Sequence, residues 1–177
     1  YYDADTHGLR FEAMLDTLKQ AGKGDIVLLH GCCHNPSGVD LSHSQWDSVA
    51  ELAQQKGFFP FIDTAYHGPG LGLSEDAYGI RKLAEYVDEM LVVYSCSKNF
   101  GLYRDRTGAC IVLGTNQAAA EASNSHLTNI ARQIYSMPPA SGGAIVKTIL
   151  QDAELYESWK QELDSMRERM NGLRVVF

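Results

Sequence analysis

Three short, mostly apolar runs, at 26–29, 58–62 and 91–94, each give way at their C-terminal end to polar residues able to do chemistry. His34, Asn35, Pro36, Ser37 and Gly38 follow the first run. Asp63, Thr64, Ala65 and Tyr66 follow the second, and Ser95, Cys96, Ser97 and Lys98 the third. The runs read as strands, and the segments between them repeat their apolar residues at helical spacing. Strands alternating with helices build an α/β domain on a mostly parallel sheet. In such a sheet, ligands bind beyond the carboxyl ends of the strands. Asn35, Asp63, Tyr66 and Lys98 are therefore expected to converge on one crevice.

The pattern predicts strands over 25–30, 58–62, 91–94 and 109–113. The last follows a short hairpin-like excursion and is expected to run antiparallel to its neighbour. Helices are predicted over 9–20, 42–56, 76–90, 116–135, 142–150 and 154–175. Ser42 and Gln45 form a capping box at the start of the second helix, and Gly57 ends it. The helix over 76–90 carries Ile80, Leu83, Ala84 and Val87 on one face. The final helix has mixed charges (Glu157, Lys160, Glu162, Arg167, Glu168, Arg169) on a solvated face. Its apolar stripe of Tyr156, Trp159, Leu163, Met166 and Met170 is expected in the core. A chain of 177 residues with this apolar content can form one domain with a sizeable core. It contains no internal repeat or low-complexity segment.

A net charge of −7 without a basic stripe argues against a nucleic-acid partner. No apolar run is long enough to span a bilayer, and no secretory leader is expected. The four cysteines, Cys32, Cys33, Cys96 and Cys110, do not form a disulfide framework and point to a reduced, cytoplasmic protein. The cluster His30-Gly31-Cys32-Cys33-His34 invites a metal reading. Continued as a strand, its side chains alternate faces and miss a common ion, and paired zinc spacing is absent. No metal is expected. The run Gly68-x-Gly70-x-Gly72 lies in a loop and is not a Gly-x-Gly-x-x-Gly turn after a strand, which disfavours a nucleotide-binding reading.

Lys98 is the most informative residue. Taken alone, Ser95-Cys96-Ser97-Lys98 reads as a strand end with a solvated lysine. In a crevice, desolvation or a nearby cation lowers a lysine pKa from about 10.4. The neutral amine is the nucleophile that attacks carbonyls. Ser95, Ser97 and Arg106 could then hold a phosphate, with the arginine binding it bidentately.

Four segments carry a family resemblance in order and spacing. They are His34 to Gly38, Asp63 to Tyr66, Ser95 to Arg106, and Arg132 with Tyr135-Ser136-Met137-Pro138-Pro139. From Tyr1 to Phe177 the chain resembles the aspartate/aromatic branch of the fold-type I, pyridoxal 5′-phosphate-dependent aminotransferases. The resemblance implies that Lys98 forms the internal aldimine and then moves a proton between the substrate α carbon and the cofactor. Asp63 would keep the pyridine nitrogen protonated. Asn35 and Tyr66 would hydrogen-bond the phenolic oxygen, with Asn35 also touching substrate. Ser95 and Arg106 would bind the phosphate, with Ser97 a small hydroxyl beside the lysine. Local sequence alone reads Arg132 as a solvated helix arginine. The resemblance makes it the arginine that crosses a homodimer interface to bind a dicarboxylic substrate.

The implied reaction exchanges an amino group between aspartate or an aromatic amino acid and 2-oxoglutarate. Met137 replaces a common asparagine that supports the substrate arginine, and leans toward larger apolar substrates. Thr107 replaces a usual aliphatic residue after the arginine, a packing adjustment. The resemblance also implies a longer parent subunit. Residues 1–150 would be part of its cofactor-binding large domain, and 151–177 the start of a helix leading to a small domain. The glycine-rich phosphate loop, the ring-stacking aromatic residue, the arginine for the α-carboxylate and a tyrosine from the neighbouring subunit are not in this sequence. The alternative function is that of an inert folded piece serving structure or dimerisation only.

Overall fold

The computed structural model describes residues 1–176. A two-residue hairpin, β1 (Tyr2–Asp3) with β2 (Gly8–Leu9), precedes α1 (Phe11–Leu18). Then follow β3 (Ile26–His30), α2 (His43–Lys56), β4 (Phe59–Thr64), α3 (Leu73–Asp76), α4 (Tyr78–Tyr86), β5 (Met90–Ser95) and β6 (Gly108–Leu113). Three further helices complete the chain: α5 (Gln117–Tyr135), α6 (Ala140–Gln151) and α7 (Ala153–Val176). The main sheet has the order β3-β4-β5-β6, with β3, β4 and β5 parallel and β6 antiparallel to β5.

Strand alternation divides the sheet into two unlike faces. Leu29, Pro60, Ile62, Met90 and Val92 are buried on one of them. That face packs on Met14 and Leu18 of α1, Trp46, Val49, Ala50 and Ala53 of α2, and Leu83 of α4. Fully burying a side chain such as Ile62 or Leu83 contributes about 1.5–3 kcal/mol. On the other face Leu28, Phe61, Leu91 and Val112 line up by register, and Leu28 remains 60% exposed.

Local signals set the helix ends where they exist. The Ser42 hydroxyl accepts from the Gln45 N–H and the Gln45 side chain accepts from the Ser42 N–H, while Gly57 closes α2 at φ 70°. The helix expected over 76–90 is instead broken into α3 and α4, and Met90 belongs to β5. Two local departures mark the breaks. The chain leaves α3 at Ala77, whose N–H turns to the Glu75 carbonyl, while the Asp76 carboxylate is captured by the N–H groups of Gly68, Gly70 and Leu71. Val87 turns extended (φ −119°, ψ 146°), so it leaves the helix. The β1–β2 hairpin was not expected; two-residue strands are too short to show a period.

Helix α7 docks through part of its stripe only. Phe100 stacks on Trp159 with ring centroids 4.5 Å apart, and the indole N–H donates to the Asn99 carbonyl at 2.7 Å. Leu163 is buried against Gly68, where any Cβ would strike its side chain. Met166 and Met170 stay 39% and 37% exposed, so the expected core stripe stops short of them. An apolar cavity of about 630 Å³ separates the sheet from α6 and α7.

Candidate active site

The carboxyl ends of β3, β4 and β5 surround a cleft of about 220 Å³, lined by His30, Cys32, Asn35, Asp63, Ala65, Tyr66 and Lys98. Asp63 reaches it because β4 alternates: Thr64 points to the helix-covered face and is fully buried, leaving Asp63 on the other. Register sets Asp63 between His30 of β3 and Val93 of β5. Among the described residues the Asp63 carboxylate makes no ion pair and no side-chain hydrogen bond. Lys98 has no such partner either; its amine lies 4.6 Å from the centroid of the Tyr66 ring. Asn35 Nδ2 donates to the Tyr66 hydroxyl at 3.4 Å. One cleft thus holds an amine and a carboxylate that do not pair with each other.

Two loops hold these groups. The first, after β3, includes a cis Asn35–Pro36 peptide. Its Asp40 carboxylate accepts from the N–H groups of Cys33 and His34, each at 2.8 Å, and His34 Nδ1 bonds the Ser37 hydroxyl at 2.6 Å. Burial and neighbouring His30 hold His34 below the usual histidine pKa.

The second loop carries Lys98. The Ser95 hydroxyl accepts from the Ser97 N–H at 3.2 Å, and the Lys98 carbonyl accepts from the Gly101 N–H at 3.2 Å. Behind it, Asn99 Nδ2 donates to the Tyr94 hydroxyl at 2.6 Å. A carbonyl only accepts, so His67 Nε2 carries a proton and donates to Leu73 at 2.8 Å. His67 Nδ1 then accepts from Tyr94 at 2.8 Å. Burial pushes the Tyr94 phenol up to about 12. This relay anchors the lysine turn to the helix-covered side of the sheet.

The cleft brings Asn35, Asp63, Tyr66 and Lys98 together. It does not contain Ser95, Ser97, Arg106 or Arg132. Ser95 shares the Asp63 side of the sheet by register, while Ser97 is buried in the turn. Arg106 is exposed at φ 51° and donates to the Tyr103 carbonyl at 2.9 Å. Arg132 is exposed on α5. His30, Cys32 and Ala65 line the cleft without having been expected there. Extending the strand register one step, to His30 opposite Asp63, is the signal that would have found the histidine.

The expected alternation of Cys32 and Cys33 does not hold. Cys33 is left-handed at φ 49°, and both thiols lie with an Asp76 oxygen, all within 4.8 Å of one another. His30 and His34 instead pack against each other, their rings tilted by 39° with 4.5 Å between centroids.

Residues 1–177 match the family described as aminotransferase class I and II. The chain belongs to that family. The aspartate aminotransferase of Haemophilus influenzae is 47% identical over 177 residues, which is 100% of this chain and 45% of that protein. An aromatic-amino-acid aminotransferase of Paracoccus denitrificans is 47% identical over 174 residues, 98% of this chain and 44% of that one. This aminotransferase-family chain thus spans about 45% of the length of the curated relatives it matches.

Solved structures agree on the fold. An aromatic amino acid aminotransferase with 3-indolebutyric acid superposes at TM-score 0.96 and 46% identity, over 98% of this chain and 44% of that one. The aromatic-amino-acid aminotransferase from Burkholderia pseudomallei, covalently bound to pyridoxal phosphate, superposes at 0.95 and 42% identity, again over 98% and 44%. The aminotransferase-family chain has the expected α/β class, with a mostly parallel sheet, flanking helices and a long C-terminal helix. Among the described residues no helix is long and apolar enough to cross a membrane. All four cysteines are free.

Proposed function

We propose that this chain supplies the lysine-bearing part of a pyridoxal 5′-phosphate-dependent aminotransferase site. The reaction would pass an amino group between aspartate or an aromatic amino acid and 2-oxoglutarate. The observation that carries this reading is the amine of Lys98 and the carboxylate of Asp63, unpaired in one cleft beside the Asn35–Tyr66 pair. That donor set fits a ring with a carbonyl to be captured, a basic nitrogen to be held protonated and an oxygen to be hydrogen-bonded. The Burkholderia relative covalently bound to pyridoxal phosphate supports it.

When bound, the cofactor supplies an electron sink for a carbanion at the substrate α carbon. Lys98 would be the nucleophile that holds the cofactor, and its amine, once free, would be the base for the α-carbon proton. Asp63 keeps the ring nitrogen protonated. Tyr66 and Asn35 donate to the ring oxygen, and Asn35 also faces substrate. Ser95 and Arg106, with Ser97 beside them, would hold the phosphate, Arg106 then exchanging its bond to the Tyr103 carbonyl for one to the phosphate. The cleft is smaller than the about 300–1,000 Å³ of ordinary ligand sites, so further walls come from beyond these residues.

The exposed face of α5 supports a homodimer. None of its 19 residues is buried, and Ile130, Ile134 and Tyr135 are 51%, 73% and 58% exposed. Tertiary packing, not propensity, stabilises most helices, so a second copy covering this face is the expected support. Arg132 would then reach the partner's site and bind the side-chain carboxylate of a dicarboxylic substrate. Residues 1–150 belong to the cofactor-binding domain and 151–177, through α7, lead toward a smaller one. Four free thiols, including exposed Cys110, suit the cytoplasm.

The test is a pyridoxal phosphate titration, borohydride fixation and peptide mapping. Cofactor fixed on Lys98, and absent from Lys98→Ala, is the expected result. Fixation on another lysine overturns the assignment. No fixation on a folded chain favours the inert structural piece.

A further inference from the structure

We propose that Cys32, Cys33 and Asp76 form a binding site for a thiophilic divalent cation, zinc or cadmium. The site stands on its own geometry and does not depend on the cofactor reading.

The ligand set is assembled by two loops that are already fixed. Past His30 the chain is pressed close to its neighbours, since a Cβ on Gly31 would come within 2.9 Å of Thr64 Oγ1. Cys33 then turns left-handed at φ 49°, a conformation unfavourable for a non-glycine residue. The Asp40 carboxylate holds that turn through the Cys33 and His34 N–H groups. The turn defeats strand alternation and presents successive thiols to one side.

Asp76 approaches from α3 and is only 5% exposed. Its Oδ2 accepts from Gly68 and Gly70 at 2.8 and 2.9 Å, and its Oδ1 accepts from Leu71 at 2.8 Å. An ionised carboxylate offers about four acceptor sites, two per oxygen, so one on Oδ1 remains. Three backbone donors therefore orient the carboxylate before any ion arrives.

The three ligand atoms lie within 4.8 Å of one another. A tetrahedral ion with Zn–S near 2.3 Å and Zn–O near 2.1 Å wants ligand atoms about 3.5–4 Å apart, so a small contraction completes the set. Cys33 can supply it, because its thiol is held only by the neighbouring Cys32 thiol, itself a ligand of the site, and by a long 3.8 Å contact to the Tyr66 carbonyl. Two sulfurs select a soft cation over magnesium or calcium. Cys32 also lines the 220 Å³ cleft, which offers an entry path and room for water as the fourth ligand. Binding forms one bond from the ion to each sulfur and one to Oδ1. The two thiol protons go to solvent, and no electron is transferred.

Cadmium is titrated into the reduced, tag-free chain and followed by sulfur-to-metal charge-transfer absorption in the ultraviolet. One ion per chain is expected, with zinc competing and magnesium not. Removing a group that merely supports a metal ligand costs about 10–100-fold in affinity, which is the floor for Cys32→Ser and Cys33→Ser. Cys96→Ser and Cys110→Ser are expected to bind as the parent does. Far-ultraviolet circular dichroism checks each variant, and Cys33→Ala replaces Cys33→Ser if the latter is unfolded. The proposal is overturned by a folded parent that binds no stoichiometric ion. It is equally overturned by charge-transfer absorption that survives loss of either Cys32 or Cys33, or that vanishes with Cys110.

Discussion

Replacing Asp76 by alanine should cost this chain more stability than almost any other single polar change. The carboxylate satisfies three backbone donors, and two of them, on Gly68 and Gly70, are buried. Leu71 is 75% exposed, so its N–H recovers a water when the acceptor is removed. The two buried N–H groups do not, and each orphaned donor costs about 1–3 kcal/mol. With the lost side-chain packing, the expected loss is about 3–5 kcal/mol, against a total stability of about 5–15 kcal/mol for a domain.

Asparagine separates the contributions. Its amide oxygen can occupy the Oδ2 position and keep both buried donors, leaving only the exposed Leu71 bond unmade. Asp76→Asn should therefore cost about 1–2 kcal/mol, near one ordinary hydrogen bond. Equilibrium urea unfolding measures both. Far-ultraviolet circular dichroism reports the whole chain, and tryptophan fluorescence reports Trp46 in α2 and Trp159 in α7. The Gly68–Gly72 loop seats Leu163 and receives Asn171, so α7 should loosen with it. An alanine variant within about 1 kcal/mol of the parent, or an asparagine variant worse than alanine, would refute this reasoning.

Two glycines make a matched pair. A Cβ on Gly79 would lie 2.8 Å from Trp46 Cζ2 and nearer still to Cδ2 and Cε2, with the indole only 4% exposed. Overpacking of about 1–3 kcal/mol should outweigh the helix-propensity gain of up to about 1 kcal/mol, so Gly79→Ala is destabilising. Gly143→Ala in α6 meets nothing within 4 Å and should keep that gain; equal urea midpoints for the two variants would contradict the packing described. Tyr94 predicts an alkaline loss. The folded chain keeps the phenol proton to about pH 12 while an unfolded tyrosine releases it near pH 10. The unfolded state then binds fewer protons across that window, so the contribution is whole below pH 10 and is lost as pH rises toward 12. It amounts to at most about 2–3 kcal/mol, reduced by the phenol's partial exposure. In Tyr94→Phe this decline should disappear, and an unchanged pH slope would count against it. Finally, Ile134→Lys on α5 should shift sedimentation toward monomer without altering cofactor fixation on Lys98; a parent that is monomeric at every concentration would remove the interface.

Much of the fold was legible because its causes are local. The capping box of Ser42 with Gln45 and the stop at Gly57 act within one helical turn. The apolar runs before Asp63 and Lys98 announce strands by themselves, and strand–helix alternation leaves few alternatives to a parallel sheet. The cleft residues Asn35, Asp63, Tyr66 and Lys98 were legible for the same reason, since the carboxyl end of a strand is a place that can be read along the chain. Arg132 was picked out by resemblance alone, as nothing near it in sequence distinguishes it from a solvated arginine.

The remainder depended on contacts between distant residues. The Asp76 carboxylate is captured by N–H groups five to eight residues upstream, in a glycine loop that local pattern reads as a mere connection. The turn at Cys33 is held by Asp40, and it reverses the side on which a thiol emerges. His30 meets Asp63 only through sheet register, and Arg106 donates to the Tyr103 carbonyl outside the cleft. The order of the main-sheet strands and of most helices, and the residue types at the strand ends, could be read along the chain, because periodicity and capping are short-range. Which of those side chains share a cleft, and which thiols share a carboxylate, was set by the folded chain. Those choices rest on register and on single hydrogen bonds across the fold, which short-range pattern does not encode.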